Sequence, residues 1–301
     1  MKNKNRFLVV LTMLSIVSTL FLFNCNNSSN SEEKEDPIDN EVPDTPDVTT
    51  SGDTLRIPVV HHISRRDDGT NAPVDEARIK KIMGDINKNF KPGKIQFYTK
   101  EIKFLDNTGW NTSFLKQDDF RDLRLLKSFE DDKAANIFYF RVLQSNSGGN
   151  LRNIGATALF PDEGNNIKLT SSSVTMENTG TASHELGHYL GLYHTDDDFR
   201  GPNGNTELVD GSNCEQAGDK ICDTPASPVL NDGNMRNCAY IGTEKDANGM
   251  QYNPDTFNIM TSSGRTRSDA DGLCRRRFSQ GQIDKMVSVL EGDRSYLITR
   301  K

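Results

Sequence analysis

The chain has 301 residues, a formal net charge of −7, 26% charged and 34% hydrophobic residues. An acidic surface repels phosphate, which excludes nucleic acid as a partner. Beyond its first fifty or so residues the composition suits one domain with two lobes around a cleft.

The N-terminus reads as an export signal over residues 1–24. Lys2, Lys4 and Arg6 form a basic start, and Phe7 to Phe23 is apolar. The apolar run falls short of the ~20 residues that a spanning helix needs, and a polar tract follows at once. Leu22-Phe23-Asn24-Cys25 is similar to a loose bacterial lipobox, with Cys25 as the lipidated residue. Residues 25–54 are rich in Asn, Ser, Glu, Asp, Pro and Thr, too polar to offset the chain entropy of folding, and read as a disordered stalk on that lipid anchor. A short pro-peptide is the competing reading. Loss of Lys2, Lys4 and Arg6 with the signal lowers the net charge from −7 to −10.

The folded unit runs over 55–301, with an N-terminal lobe of about 55–194 and a C-terminal lobe of about 195–301. Leu55 to Ile63 reads as a strand; of its two histidines, one faces the core and the other, of His61 and His62, faces solvent or a loop. Pro73 to Phe90 reads as a helix: proline suits the first turn, and Val74, Ala77, Ile82, Met83, Ile86 and Phe90 make one apolar stripe. Ile95 to Leu105 alternates as a strand does. Asp118 to Ser128 is a short helix, and Asn136 to Leu143 and Ile167 to Val174 are buried strands. Ser147-Gly148-Gly149-Asn150 is a turn, and Gly155 to Leu159 is either a sheet rim or a loop. A helix capped near Asn178 or Thr179 follows. Strands alternating with helices, then loops and one last helix, make an α+β or α/β layout. The last helix starts at Ser279, with Gln282 completing a capping box and Ile283, Met286, Val287 and Leu290 facing inward. Asp196-Asp197-Asp198 reads as a solvated acidic loop and Arg275-Arg276-Arg277 as a solvated turn. Cys25 aside, Cys214, Cys222, Cys238 and Cys274 allow three pairings and suit an oxidising compartment. A second zinc site weighs less, since no C-x-x-C spacing is present.

His184-Glu185-Leu186-Gly187-His188 places two imidazoles four residues apart, on one face of a helix with about 3.6 residues per turn. Gly191 can take positive φ, end that helix and return His194 as a third ligand. Three neutral imidazoles suit zinc and leave a position open for water. Glu185 stands where its carboxylate reaches that water. A core helix carrying stray histidines explains neither the glycine nor the third histidine.

The full H-E-x-x-H-x-x-G-x-x-H string resembles the metzincin zinc peptidases, and Met260 in Asn258-Ile259-Met260 fits their methionine turn. Ile57-Pro58-Val59-Val60-His61, His194-Thr195, Gly218-Asp219-Lys220-Ile221-Cys222-Asp223-Thr224-Pro225, and Cys274 before Phe278-Ser279 with Gly281-Gln282 are similar to the pappalysin family. The resemblance runs over roughly residues 55 to 295. It implies a metzincin-like α+β zincin with a twisted mixed sheet and a loop-rich, disulfide-stapled C-terminal lobe. It implies one catalytic zinc on His184, His188 and His194, with Glu185 as general base for hydrolysis of extracellular proteins. It further implies calcium on Asp219, Asp223 and Thr224, for which a turn of solvated aspartates is the alternative. It favours Cys238 with Cys274, leaving Cys214 with Cys222, and an edge strand at Gly155–Leu159 that pairs with substrate. The N-terminus makes this a bacterial lipoprotein form, anchored to the membrane through Cys25.

Two departures stand out. The family tyrosine two residues after the methionine is Ser262 here, so Ser262, water or another donor supports the oxyanion. The acidic residue behind the family's arginine preference has no counterpart beside Cys274, since Gly272 and Leu273 precede it with Asp269 and Asp271 only nearby; that preference is not carried over. A non-catalytic surface binding or adhesion lipoprotein on a metzincin scaffold is the competing function. The missing tyrosine points toward it, and Glu185, which a binder does not need, points away.

Overall fold

The computed structural model describes residues 54–116, 125–147, 149–175, 180–196, 201, 204–262, 268–269 and 272–299. The export signal, Cys25, nearly all of the stalk, most of the helix expected at Asp118–Ser128, the cap at Asn178 or Thr179, and Asp197, Asp198 and Asp271 lie outside the described residues.

Strand β1 (Leu55–Arg65), helix α1 (Glu76–Phe90) and strand β2 (Ile95–Asp106) open the fold as a parallel β-α-β unit. Asp75 caps α1 by accepting the Arg78 backbone N–H at 2.8 Å, so the helix begins three residues after Pro73. Then come α2 (Thr108–Thr112), β3 (Phe114–Lys116), β4 (Ala135–Phe140), β5 (Leu143–Ser147), β6 (Asn150–Ile154), β7 (Ala156–Ala158) and β8 (Asn166–Thr170). The main sheet has the order β2-β1-β4-β8-β7. Its pairings are parallel except for the edge strand β7, which runs antiparallel to β8. Strands β3, β5 and β6 form a smaller sheet.

Both faces of the main sheet are covered, and β4 shows it by its period of two. Ala135, Ile137 and Tyr139 enter the large core with α1, while Phe138 and Phe140 enter a second core with Leu105, Phe114, Leu126 and Leu143. This corrects the expectation for the histidines, since neither His61 nor His62 is exposed. His61 meets the Tyr139 hydroxyl at 3.0 Å and the Thr99 hydroxyl at 3.2 Å. His62 meets the Asn136 side-chain oxygen at 2.9 Å and stacks on Phe138. Burial lowers both pKa values, that of His61 to about 3, so both rings are neutral structural groups. Pro58, which has no N–H to give, sits where β1 pairs with β2 alone; β4 joins at Val59.

Two expected strands are shorter than their apolar runs. The run Asn136–Leu143 breaks after Phe140, and Leu143 starts β5, which pairs with β3 and β6. Strand β8 ends at Thr170, where Ser173 donates its backbone N–H to the Thr170 carbonyl at 3.0 Å and closes a turn. Helix α3 (Gly180–Tyr189) then crosses the large core.

After α3 the chain is mostly turns, with short ribbons pairing Met235–Arg236 with Ala239–Tyr240 and Ser268–Asp269 with Gly272–Leu273. Two disulfides join Cys214 to Cys222 and Cys238 to Cys274. The second is buried beside Leu230 and Met235 and forms much of a small core of its own. Helix α4 (Gln280–Glu291) starts on the Ser279–Gln282 capping box. Its buried face carries Ile283, Met286, Val289 and Leu290, with Val287 at the margin. The guanidinium of Arg294, wholly buried, donates to the carbonyls of Tyr189 (2.7 Å), Gly164 (2.9 Å) and Leu159 (3.2 Å), tying the C-terminus to α3 and to the loop after β7.

The disulfides close sequence separations of 8 and 36 residues. Loop-closure entropy then predicts a loss of about 4 kcal/mol when Cys238 and Cys274 are both replaced by alanine, against about 2.5 kcal/mol for Cys214 and Cys222. Urea unfolding of the two double variants measures the difference.

Candidate active site

Helix α3 carries His184, Glu185 and His188, with His184 and Glu185 buried. The helix ends in a tight reversal: Gly191 has φ +87° and donates to the His188 carbonyl at 2.9 Å, and Leu192 donates to the Gly187 carbonyl at 3.0 Å. The reversal returns His194 to the same place. The three Nε2 atoms are 3.0 Å (His188–His194), 3.1 Å (His184–His188) and 3.2 Å (His184–His194) apart.

The protons on two of these rings are assigned by their other nitrogens. His184 Nδ1 lies 2.8 Å from the Ile259 carbonyl and His188 Nδ1 lies 2.7 Å from the Leu192 carbonyl. A carbonyl only accepts, so both Nδ1 atoms carry the proton and both Nε2 atoms present lone pairs. Facing lone pairs at this range repel unless a cation sits between them. Tetrahedral zinc with nitrogens at about 2.0–2.1 Å sets them about 3.3 Å apart, close to the observed triangle. Burial, with Arg275 beside it, also holds His184 well below the usual imidazole pKa and hence neutral. Among the described residues this triad is the only group of three His, Cys, Asp or Glu side chains whose ligand atoms converge closely enough to hold a metal.

The loop Asn258–Ser262 passes beneath α3, with Met260 fully buried. A Cβ on Gly187 would stand 2.3 Å from the Met260 sulfur, so the thioether rests directly on a helix position that only glycine vacates. Asn258 shapes the loop: its oxygen accepts the Met260 N–H at 2.8 Å and its amide donates to Gln282 of α4 at 2.9 Å. Thr195, next to His194, donates its backbone N–H to the Met260 carbonyl at 3.2 Å.

Two sequence expectations are corrected here. Asp196 is buried, not solvated; its carboxylate accepts the Ser262 N–H at 2.8 Å and the Ser262 hydroxyl. Ser262 therefore gives its hydroxyl proton to Asp196. Arg275 is buried too and donates to the Thr261 carbonyl, whereas Arg277 is exposed and pairs with Asp255 at 2.8 Å, as a surface turn does.

Beside the histidines, β7 lies at the open edge of the sheet. Phe160, just past it, has its ring 5.6 Å from that of His188 and 5.3 Å from that of Tyr193. Gly155 and Leu159 flank β7 and bond back toward β8 through Thr170 and Asn166.

The residues expected to hold calcium divide between two tasks. Asp223 accepts the Ser279 hydroxyl and the Gly281 N–H, both at 2.7 Å, and so caps the N-terminus of α4. Asp219 is buried, accepting the Ile221 N–H at 3.0 Å and the Thr224 hydroxyl at 2.8 Å. Its neighbour is Glu207, a buried carboxylate packed against Gly218, where a Cβ would lie 2.0 Å from the Glu207 oxygen. Burial, with the Asp219 charge as a smaller cause, pushes Glu207 up to about 8; burial raises Asp219 to about 6. Sequence reasoning missed Glu207, which stands eleven positions before Gly218 in an irregular stretch without periodicity.

The peptidase family described as pregnancy-associated plasma protein-A matches residues 125–291. An extracellular metalloprotease of Neurospora crassa is 26% identical over 273 residues, spanning 83% of this chain and 88% of its own. One from Arthroderma benhamiae is 24% identical over 229 residues, spanning 73% of this chain and 67% of its own. Among solved structures, mature mirolysin of Tannerella forsythia in complex with a cleaved peptide shares the fold, with a TM-score of 0.55 and 18% identity over 81% of this chain and 96% of its own. Mirolysin in complex with a small compound gives the same TM-score at 19% identity, with the same shares.

Two predictions arise. Gly187→Ala should push the Met260 thioether off α3 and destabilise the protein by about 1–3 kcal/mol, read by denaturant unfolding. Glu207 and Asp219 hold protons in the folded state that the unfolded chain releases near its ordinary values of 4.5 and 3.8. Raising the pH from 5 to 8 should therefore lower the melting temperature when no cation is bound there. Glu207→Gln should flatten that dependence in thermal melts.

Proposed function

The chain belongs to the pregnancy-associated plasma protein-A family of peptidases, and from that membership we propose that His184, His188 and His194 hold the zinc of this metalloendopeptidase while Glu185 serves as its general base. The observation that carries the reading is the set of three Nε2 atoms within 3.2 Å of one another, two of them with the proton assigned to the far nitrogen.

When bound, zinc supplies a Lewis acid that polarises the scissile carbonyl and acidifies water. Glu185, one residue along α3 from His184, takes a proton from the attacking water and passes it to the leaving amine nitrogen. The neutral Nδ1–H groups of His184 and His188 keep their rings aimed by donating to Ile259 and Leu192. Met260 closes the floor of the site. An extended peptide pairs with the outer edge of β7, adding a strand to the sheet, with Phe160 and Tyr193 walling the side next to His188. The cleaved peptide held by mirolysin, which shares this fold, supports protein or peptide substrates.

The reading extends to the rest of the molecule. Relatives named extracellular metalloproteases and two disulfides support hydrolysis of extracellular proteins. Export followed by lipidation at Cys25, with residues 25–54 as a stalk, makes the protein an envelope lipoprotein. Asp219 and Thr224 offer oxygens to a calcium ion, and Glu207 adds a carboxylate beside Asp219, where a cation offsets the cost of burying ionised carboxylates that raises both acids. Asp223 serves chiefly as the cap of α4. Added calcium raises the melting temperature more at pH 8 than at pH 5 on this reading.

Elemental analysis should find one zinc per chain. A quenched peptide library should be cleaved and the cleavage abolished by a chelator. Glu185→Ala should retain zinc and lose activity by about 10²–10⁴-fold. Zinc-loaded wild-type protein that cleaves no peptide would instead favour a binding role on this scaffold.

A further inference from the structure

We propose that Asp196 is a positioning residue for the hydrolytic site: by locking the turn after His194 onto the methionine loop, it sets where the third imidazole stands. The inference rests on the zinc-peptidase reading above. His184 and His188 project from a helix whose backbone is fixed by its own hydrogen bonds. His194 projects from irregular chain, and its position depends on what holds that chain.

Two consecutive residues after His194 hold it. Thr195 donates its backbone N–H to the Met260 carbonyl at 3.2 Å. Asp196, two residues from His194, accepts the Ser262 N–H on one oxygen at 2.8 Å and the Ser262 hydroxyl on the other at 2.5 Å. The second oxygen also accepts the Leu230 N–H at 3.2 Å. One carboxylate thus joins the segment after the third histidine, the methionine loop and the start of the Leu230 core. The same loop meets the first histidine from its other end, where the Ile259 carbonyl accepts from His184. The loop therefore touches both ends of the ligand set, at His184 through Ile259 and at His194 through Met260 and Ser262.

The chemistry of Asp196 is that of a clamp. It is 3% exposed, too little for water to serve as its partner, and its contacts among the described residues are three neutral donors from two other segments. Burying a carboxylate is costly unless its lone pairs are met. A serine at position 262 is short enough to let the carboxylate reach both its N–H and its hydroxyl.

The test uses the full chain, zinc-loaded, as wild type, Asp196→Asn, Asp196→Ala, Ser262→Ala and the double variant Asp196→Ala with Ser262→Ala. Zinc release to a chromogenic chelator, kcat and KM on a quenched peptide, and the melting temperature are measured on each. Asp196→Ala should release zinc about 10-fold faster or more and lose a similar factor in kcat, the size seen for residues that orient metal ligands. KM should stay within about twofold, since no substrate contact is lost. Asp196→Asn, which keeps one acceptor, should fall between, and removing Ser262 as well should add little to Asp196→Ala. If Asp196→Ala does not fold, Asp196→Asn and Ser262→Ala carry the same test at smaller amplitude. Wild-type zinc release and kcat in these variants, with only a lowered melting temperature, would reduce Asp196 to a structural contact and overturn the proposal. Wild-type protein that holds no zinc would sink the peptidase reading as well, which separates the two failures.

Discussion

Three imidazole nitrogens held within 3.2 Å of one another constitute the constraint around which this molecule is arranged. Two point lone pairs inward because their other nitrogens must donate to carbonyls, so the cluster is favourable only around a cation. Each local peculiarity nearby serves that convergence. Gly191 adopts a left-handed conformation so that the chain can reverse, and the reversal itself supplies the Leu192 carbonyl that orients His188. The cluster and the fold are in this sense one design: the groups that aim the imidazoles are backbone atoms of the turn and loop that bring them together.

Beneath the histidines the methionine loop works by close approach rather than by chemistry of its own. Met260 reaches α3 at Gly187, where any side chain would displace it. The loop is then fixed from several directions, by Asn258 to α4, by Arg275 to the Thr261 carbonyl and by Asp196 to Ser262. Such a loop has no regular secondary structure to stiffen it, and side chains from distant parts of the chain replace the missing ladder. The turn-rich chain after α3 repeats this solution on a larger scale. With few strands and little apolar core of its own, it is held by the Cys238–Cys274 bridge, by the capping of α4 from Ser279 and Asp223, and by the buried Arg294.

A second group of buried charges stands apart from the histidines. Glu207 and Asp219 lie together under the loop that leads into Cys222, and both take up protons more readily than usual. Their proximity has a physical consequence whatever occupies the site, since an uncompensated pair of carboxylates weakens the loop as pH rises, and a hard cation or a proton relieves it.

The local and periodic features of the chain were legible without coordinates. The H-E-x-x-H spacing, the glycine after it and the third histidine are a helix-and-turn pattern whose geometry follows from about 3.6 residues per turn, and the Ser279–Gln282 cap likewise declares itself within four residues. The apolar runs of β1, β4 and β8 were recognisable as strands, but not where they stop: Phe140 and Leu143 belong to different sheets, a distinction carried by partners far along the chain. Only the tertiary structure decided the fate of the isolated polar residues. Asp196 and Arg275 looked like ordinary solvated groups, Glu207 carried no signal, and His61 and His62 were divided between core and surface without saying which was which, because a single polar side chain has no periodicity to betray its side. Burial of such a group is settled by donors and acceptors many residues away, such as Ser262 for Asp196 and Asn136 for His62. Sequence thus determined the chemistry that converges on the site, and long-range packing decided which polar side chains hold it in place.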